Sequence, residues 1–225
     1  MKKFPRPSLR SLLYLDAPAA AEAIASTEAD ALIVDLAPKA TGGEAARAIV
    51  DAAPDRLPVF ARINSLTAGQ LAADVAIAMS FRPFGIILPD IANVIDIEEL
   101  GAHLRVSEAE LGLADGGTRI LPTIGLPAGA LAFTAGSQLP QRVAALVWEW
   151  PGSSFGERLN DAATLSRSLT VLAASRHNVP AIAALPLISD AGEAFKTACS
   201  AACFEGISGV IVRSEAQARV ANTIF

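Results

Sequence analysis

Eight short apolar runs, each followed by an Ala-rich amphipathic stretch, constrain this chain more than any other feature. The runs are SLLYLD (11–16), ALIVDL (31–36), PVFARIN (58–64), GIILPD (85–90), RILPTI (119–124), AALVWEW (144–150), PAIAAL (180–185) and GVIVRS (209–214). Runs that are apolar throughout, rather than alternating, suit parallel strands covered on both faces. Between and after them the pattern predicts helices at 18–27, 43–53, 66–80, 93–105, 127–136, 160–177, 190–204 and 215–223. Asn93 and Asn160 stand where helix N-caps are expected. Ala is frequent because a small side chain with high helix propensity lets a helix lie close on a sheet.

Eight strand–helix units in strict alternation predict a compact α/β fold, a (β/α)8 TIM barrel, as a single domain over 1–225. A doubly wound open sheet is the competing architecture. Its glycine-rich dinucleotide loop is missing after the first strand, where Asp16-Ala17-Pro18 stands. Residues 106–118, VSEAELGLADGGT, read as one irregular surface insert. The length of 225 residues, 52% hydrophobic and 18% charged, is enough for one full core.

Charge narrows the partners. A net charge of -5 without a basic stripe argues against nucleic acid, which needs clustered Lys and Arg. Lys2, Lys3 and Arg6 precede an apolar run, but Asp16 ends it too soon for a signal peptide. No segment approaches the roughly 18 unbroken apolar residues of a membrane span, so a cytoplasmic protein without a membrane partner is expected. Cys199 and Cys203, four apart on a predicted helix, read as small buried hydrophobes; His103 and His177 are too distant in sequence to complete a metal motif.

In a barrel the chemistry lies at the C-terminal ends of the strands. Those ends offer Asp16, Asp35 with Lys39, Arg62 with Asn64 and Ser65, Asp90, Thr123 before Gly125, Glu149 with Trp150, Ala183 with Ala184, and Arg213 with Ser214. No Ser–His–Asp or Cys–His set can be assembled from them. Arg62, inside an apolar strand, needs an anion beside it. It is the candidate catalytic residue, gripping a substrate carboxylate or carbonyl, or else a structural partner of Asp35. Asp35 itself reads as an acid, a metal ligand or that partner. Asp90, Asp16 and Glu149 would together suit a cation, or else serve as helix caps. Alternation buries one face and sends Glu149 to the other, and one of its neighbours Trp148 and Trp150 is expected to line the mouth. The loops 40–47 (ATGGEAAR) and 150–159 (WPGSSFGERL) are candidate anion loops or ordinary turns.

As a set, RSLLYL, ADALIVDL, LPVFARIN, GIILPDI, RILPTIG, RVAALVWEW and GISGVIVRSEAQARVANTIF resemble the successive signatures of citrate lyase beta-subunit-like proteins, in the HpcH/HpaI aldolase superfamily. The resemblance runs along nearly the whole chain. It implies a (β/α)8 barrel that makes or breaks a C–C bond beside a carbonyl, on acyl-CoA or oxo-acid substrates, with Mg2+ and an Arg stabilising an enolate. It also implies a homo-oligomer, a trimer by family analogy, and a small carboxylate or acyl-CoA ligand. Asp35, Arg62 and Asn64 match the family pattern, and Asp90 and Glu149 complete the expected substrate-binding set.

Other positions depart from it. The family holds its metal with a Glu ending the fifth strand and an Asp just after the sixth. Here those positions are Gly125 and Gly152 or a neighbour, so no metal ligand is assigned. Ala37-Pro38 replaces an acidic pair, Asp90 a Lys, VRS the IHP of the last strand, and Ala183 an Asp. The chain is expected to lack the further C-terminal helices of its relatives. These losses predict a lyase-family protein with reduced or lost Mg2+-dependent activity. The alternative is a non-catalytic pseudoenzyme that binds a ligand or supports a partner.

Overall fold

The computed structural model describes residues 8–15, 24–37, 43–55, 57–133, 138–149, 161–185 and 190–225. The expected helix 18–27, apart from its last residues, lies outside them. So do Asp16, Lys39, Trp150, Gly152, Asn160, the loop 150–159 and the start of the loop 40–47.

The strands are β1 (Ser11–Leu15), β2 (Ala31–Asp35), β3 (Val59–Arg62), β4 (Gly85–Leu88), β5 (Arg119–Ile124), β6 (Leu146–Glu149), β7 (Ala181–Ala184) and β8 (Gly209–Val212). All neighbours pair in parallel, and β8 pairs with β1 to close the barrel. The helices among the described residues are α1 (Gly43–Ala52), α2 (Leu71–Ser80), α3 (Val94–Glu110), α4 (Pro127–Ala132), α5 (Asp161–Arg176), α6 (Glu193–Phe204) and α7 (Glu215–Ile224). The alternation expected from the apolar runs is therefore present strand for strand, and the fold is the TIM barrel rather than the open sheet.

Side-chain alternation divides the core in two. Leu12, Ala31, Ile33, Phe60, Ile87, Leu121, Val147 and Ile182 fill the barrel interior. Their strand neighbours Leu13, Leu32, Val34, Ala61, Ile86, Ile120, Trp148 and Val210 face the helices. Each fully buried Leu or Ile contributes about 1.5–3 kcal/mol. Trp148 is wholly buried in the outer layer, with the Arg167 guanidinium of α5 5.3 Å from its ring centre. Glu149 consequently faces inward, as alternation requires.

The bottom of the barrel is tight. A Cβ on Gly209 would lie 1.8 Å from the Leu9 carbonyl oxygen, so only glycine lets β8 approach the entry to β1.

Two expectations need correction. The irregular insert over 106–118 is shorter than the sequence suggests, because α3 continues to Glu110. Glu108 is the reason: it is buried, accepts from the Gly116 and Thr118 amides at 3.0 and 2.7 Å, and pairs with Arg142. A carboxylate that collects loop N–H groups keeps the last turn of the helix in place. The second correction concerns 66–80, where a 3₁₀ turn (Leu66–Ala68) ends at left-handed Gly69, with φ of 68°, before α2 begins. The cap expected at Asn93 forms as a capping box: Asn93 accepts from the Ile95 amide at 2.7 Å, while Asp96 accepts from the Asn93 amide at 3.0 Å. Cys199 is buried in the core and Cys203 half-buried, both free. Burial pushes the Cys199 thiol up to about 12, consistent with a packing role.

Candidate functional site

At the C-terminal mouth several strands end their inner face in a polar residue. On β2 this is Asp35, and the register pairs Asp35 directly with Arg62 of β3. Arg62 reaches across the mouth. One of its terminal nitrogens lies 3.2 and 3.3 Å from the two carboxylate oxygens of Glu149 on β6, and the other lies 3.7 Å from Asp35. Sequence reasoning left Arg62 between a ligand grip and a pair with Asp35. The pair exists, and Glu149 adds a second carboxylate that the alternation of β6 made foreseeable but did not assign.

Asp35 is only 4% exposed. It accepts from the Ala37 amide at 2.9 Å and from the Tyr14 hydroxyl. Burial raises its carboxyl above the ordinary aspartate range, and this outweighs the opposing pull of the Ala37 amide and the charges of Arg62 and Arg213. Tyr14 was not among the expected site residues. Its signal was present, since Leu12 points inward and residue 14 must then do the same.

Arg213 follows β8 at the next inward position after Ile211. Its guanidinium carbon sits 4.0 Å from the Tyr14 ring centre, a cation–π stack. Its backbone is fixed from below: its amide donates to Gln217 at 2.8 Å, and the buried Gln217 donates to the Asp190 carbonyl at 3.1 Å.

Asp90 follows β4 in a left-handed conformation, with φ of 53°, which Asp tolerates better than most residues. Its carboxylate reaches over Gly125. A Cβ built on Gly125 would stand 3.0 Å from an Asp90 oxygen and 3.9 Å from the Glu149 Cβ. Asp35, Arg62 and Glu149 are therefore in direct contact, and Asp90 joins them through the space that Gly125 leaves. Asn64 is turned elsewhere: its side-chain amide and backbone N–H both donate to Asp74, each at 2.9 Å, at the start of α2.

The magnesium implied by the sequence resemblance can be tested against these donors. Gly125 offers none, both Glu149 oxygens face Arg62, Asp35 is engaged by Tyr14 and Ala37, and Asp90 alone of these carboxylates has no partner among the described residues. Among the described residues no three His, Cys, Asp or Glu side chains are grouped to hold a metal ion. The described donor set does not fit a hard divalent cation, which wants several free oxygens.

The architecture and mouth define a (β/α)8 barrel with an arginine–carboxylate network at the C-terminal ends of its strands. No family model matches the chain, and no curated protein matches it. Solved structures do. RipC from Yersinia pestis is similar with a TM-score of 0.74 at 20% identity, covering 96% of this chain and 94% of RipC. A citrate lyase beta subunit from M. tuberculosis, complexed with oxaloacetate and magnesium, matches with a TM-score of 0.74 at 19% identity over 97% of each chain. A citrate lyase from Burkholderia xenovorans reaches 0.79 at 15% identity, covering 96% of this chain and 76% of that one. These neighbours belong to the HpcH/HpaI superfamily, and at such identities the likeness establishes the shared barrel.

Proposed function

We propose that the chain is a citrate lyase beta-subunit-like member of the HpcH/HpaI superfamily. Its barrel mouth binds a small carboxylic acid, free or as an acyl thioester, and its Mg2+-dependent C–C lyase turnover is reduced or lost. The observation that carries this reading is the pairing of Arg62 with Glu149 beside Gly125. The anion-gripping Arg is kept at the mouth, while the neighbouring carboxylate is spent on that Arg rather than left open for a metal. The M. tuberculosis relative holds oxaloacetate and magnesium in the same fold.

In this scheme Arg62 exchanges Glu149 for a ligand carboxylate or carbonyl, a charge-assisted contact that its planar fork can make with two bonds. Asp35 and Tyr14 hold the guanidinium in position while Glu149 swings clear. The assembly is a homo-oligomer, a trimer by analogy, which light scattering on the purified chain measures.

Thermal unfolding with and without oxaloacetate tests the ligand claim. Oxaloacetate should raise the midpoint of the wild type, and Arg62→Ala should erase that rise; an equal rise in both would overturn it. Calorimetric titration with Mg2+ tests the metal claim. Tight binding that survives Glu149→Gln would show donors other than the ones named.

A further inference from the structure

Arg62 serves two carboxylates and serves them unequally. It lies 3.2 and 3.3 Å from the Glu149 oxygens but 3.7 Å from Asp35, so Glu149 takes the larger share of its charge. Yet Asp35 is the one that water cannot reach: its side chain is 5% exposed, against 35% for Glu149. A buried carboxylate left with the lesser share of one cation is costly, and a further cation near Asp35 offsets that cost. Arg213 is that cation.

The contacts that place it run in one chain from the start of α7 to Arg62. Buried Gln217 accepts from the Arg213 amide at 2.8 Å, and its own backbone N–H donates to the Ser214 hydroxyl at 3.2 Å. The Arg213 guanidinium carbon stands 4.0 Å from the centre of the Tyr14 ring. Tyr14 in turn donates its hydroxyl to Asp35, and Asp35 faces Arg62. Arg213 is exposed, and its guanidinium has no hydrogen-bond or ion-pair partner among the described residues. Among those residues, the Tyr14 ring and the charge of Asp35 are what hold that end of the side chain.

The charged groups around Asp35 among the described residues are Arg62 from β3 and Arg213 after β8, with Glu149 of β6 reached through Arg62. Burial raises the Asp35 carboxyl, and both arginines pull it back down. Without Arg213 one cation would stand between two carboxylates, and Asp35 would take up a proton more readily. A neutral Asp35 no longer attracts Arg62, which then turns wholly to Glu149 and away from a ligand.

We propose that Arg213 is a positioning residue: stacked on Tyr14, it supplies the second cation of a group of two arginines and two carboxylates, and so keeps Tyr14 and Asp35 set against Arg62. The role rests on the reading that Arg62 grips a small acid, because it acts on the residue that does so.

Tyr14 is the only tyrosine, so isotope-labelled tyrosine gives one set of ring signals in NMR. Followed against pH, those signals report the proton on Asp35, the partner of the Tyr14 hydroxyl. Arg213→Gln should move their midpoint to higher pH, and Arg213→Lys, which keeps the charge, should leave it near the wild-type value. An unmoved midpoint in Arg213→Gln would overturn the proposal. Calorimetric titration with succinate and with butyrate separates positioning from direct contact. Arg213→Gln should weaken both ligands, each by about tenfold. A loss confined to succinate would make Arg213 a contact for the second carboxylate and overturn the positioning role. The acid-binding reading fails separately: if neither ligand binds the wild type, that reading falls, while the Tyr14 midpoint in Arg213→Gln still decides whether Arg213 acts on Asp35.

Discussion

Two arginines of this barrel are each held by a pair of carboxylates, at opposite ends of the sheet. Arg142, entering β6 at the bottom, grips both oxygens of Glu108 with separate nitrogens at 2.9 and 2.8 Å and reaches Asp115 at 2.6 Å. Arg62, at the mouth, meets Glu149 through a single nitrogen at 3.2 and 3.3 Å and Asp35 at 3.7 Å. The Glu108 side chain is 1% exposed and that of Glu149 is 35% exposed. The same chemical pair is thus a dry, bidentate staple in one place and a wet, loosely aligned contact in the other. Geometry separates them: a pair that closes on itself stabilises, whereas one that stays open to water can be exchanged for a ligand.

The largest effect expected from this contrast is on stability. Glu108→Ala leaves the buried Arg142 only the exposed Asp115 carboxylate and strips the Gly116 and Thr118 amides of their acceptor. It should cost about 3–5 kcal/mol, measured by urea unfolding. A cost below ~1 kcal/mol would break the comparison.

A smaller, pH-dependent effect should sharpen it, because the two ends titrate in opposite senses. Burial pushes the Glu108 carboxyl up, but the hydrogen bonds from Arg142, Thr118 and Gly116 outweigh it and hold Glu108 below the ordinary glutamate range. Its stabilisation is present above the unfolded value, and is lost as pH falls through the lower folded value. Asp35 is shifted upward by burial, so the fold favours its neutral form. Its contribution is fully present below the ordinary aspartate value and is lost as pH rises through the higher folded value. Stability measured against pH should therefore lose part of its acid decline in Glu108→Gln. Asp35→Asn should gain on the wild type as pH rises through that window. Parallel curves for all three proteins would contradict both assignments.

The smallest stability effect belongs to Glu149. Glu149→Gln at the open mouth should change unfolding free energy by less than ~1 kcal/mol. The same change should strengthen oxaloacetate binding in calorimetry, because Arg62 no longer has a competing carboxylate. Weaker binding would mean that Glu149 contacts the ligand rather than yielding to it.

Much of the barrel was legible because a two-sided strand leaves an apolar run that nothing else in the chain imitates. The run RILPTI matches β5 residue for residue, and the remaining strands differ from their runs only at the ends. What the sequence hid is whatever depends on long-range partners. Glu108 and Arg142 are 34 positions apart, and nothing local marks Glu108 as buried rather than part of a solvated helix end. Arg62, Asp35 and Glu149 were legible as strand ends, but their mutual contact follows from barrel closure. Asn64 shows the opposite failure. It matches a family position, yet its amide is committed to Asp74 ten residues on, a local bond that pattern matching does not weigh.

The pairing of Ser11 with Val210 and of Leu12 with Ile211 has a consequence for the chain's birth. A closed sheet has no edges, but this one closes only through its first and last strands. During synthesis β1 therefore presents a bare row of N–H and C=O groups until the segment around Val210 has left the ribosome. An unpaired strand edge of this kind is what other chains can pair with, so closure by β8 is the step that removes it.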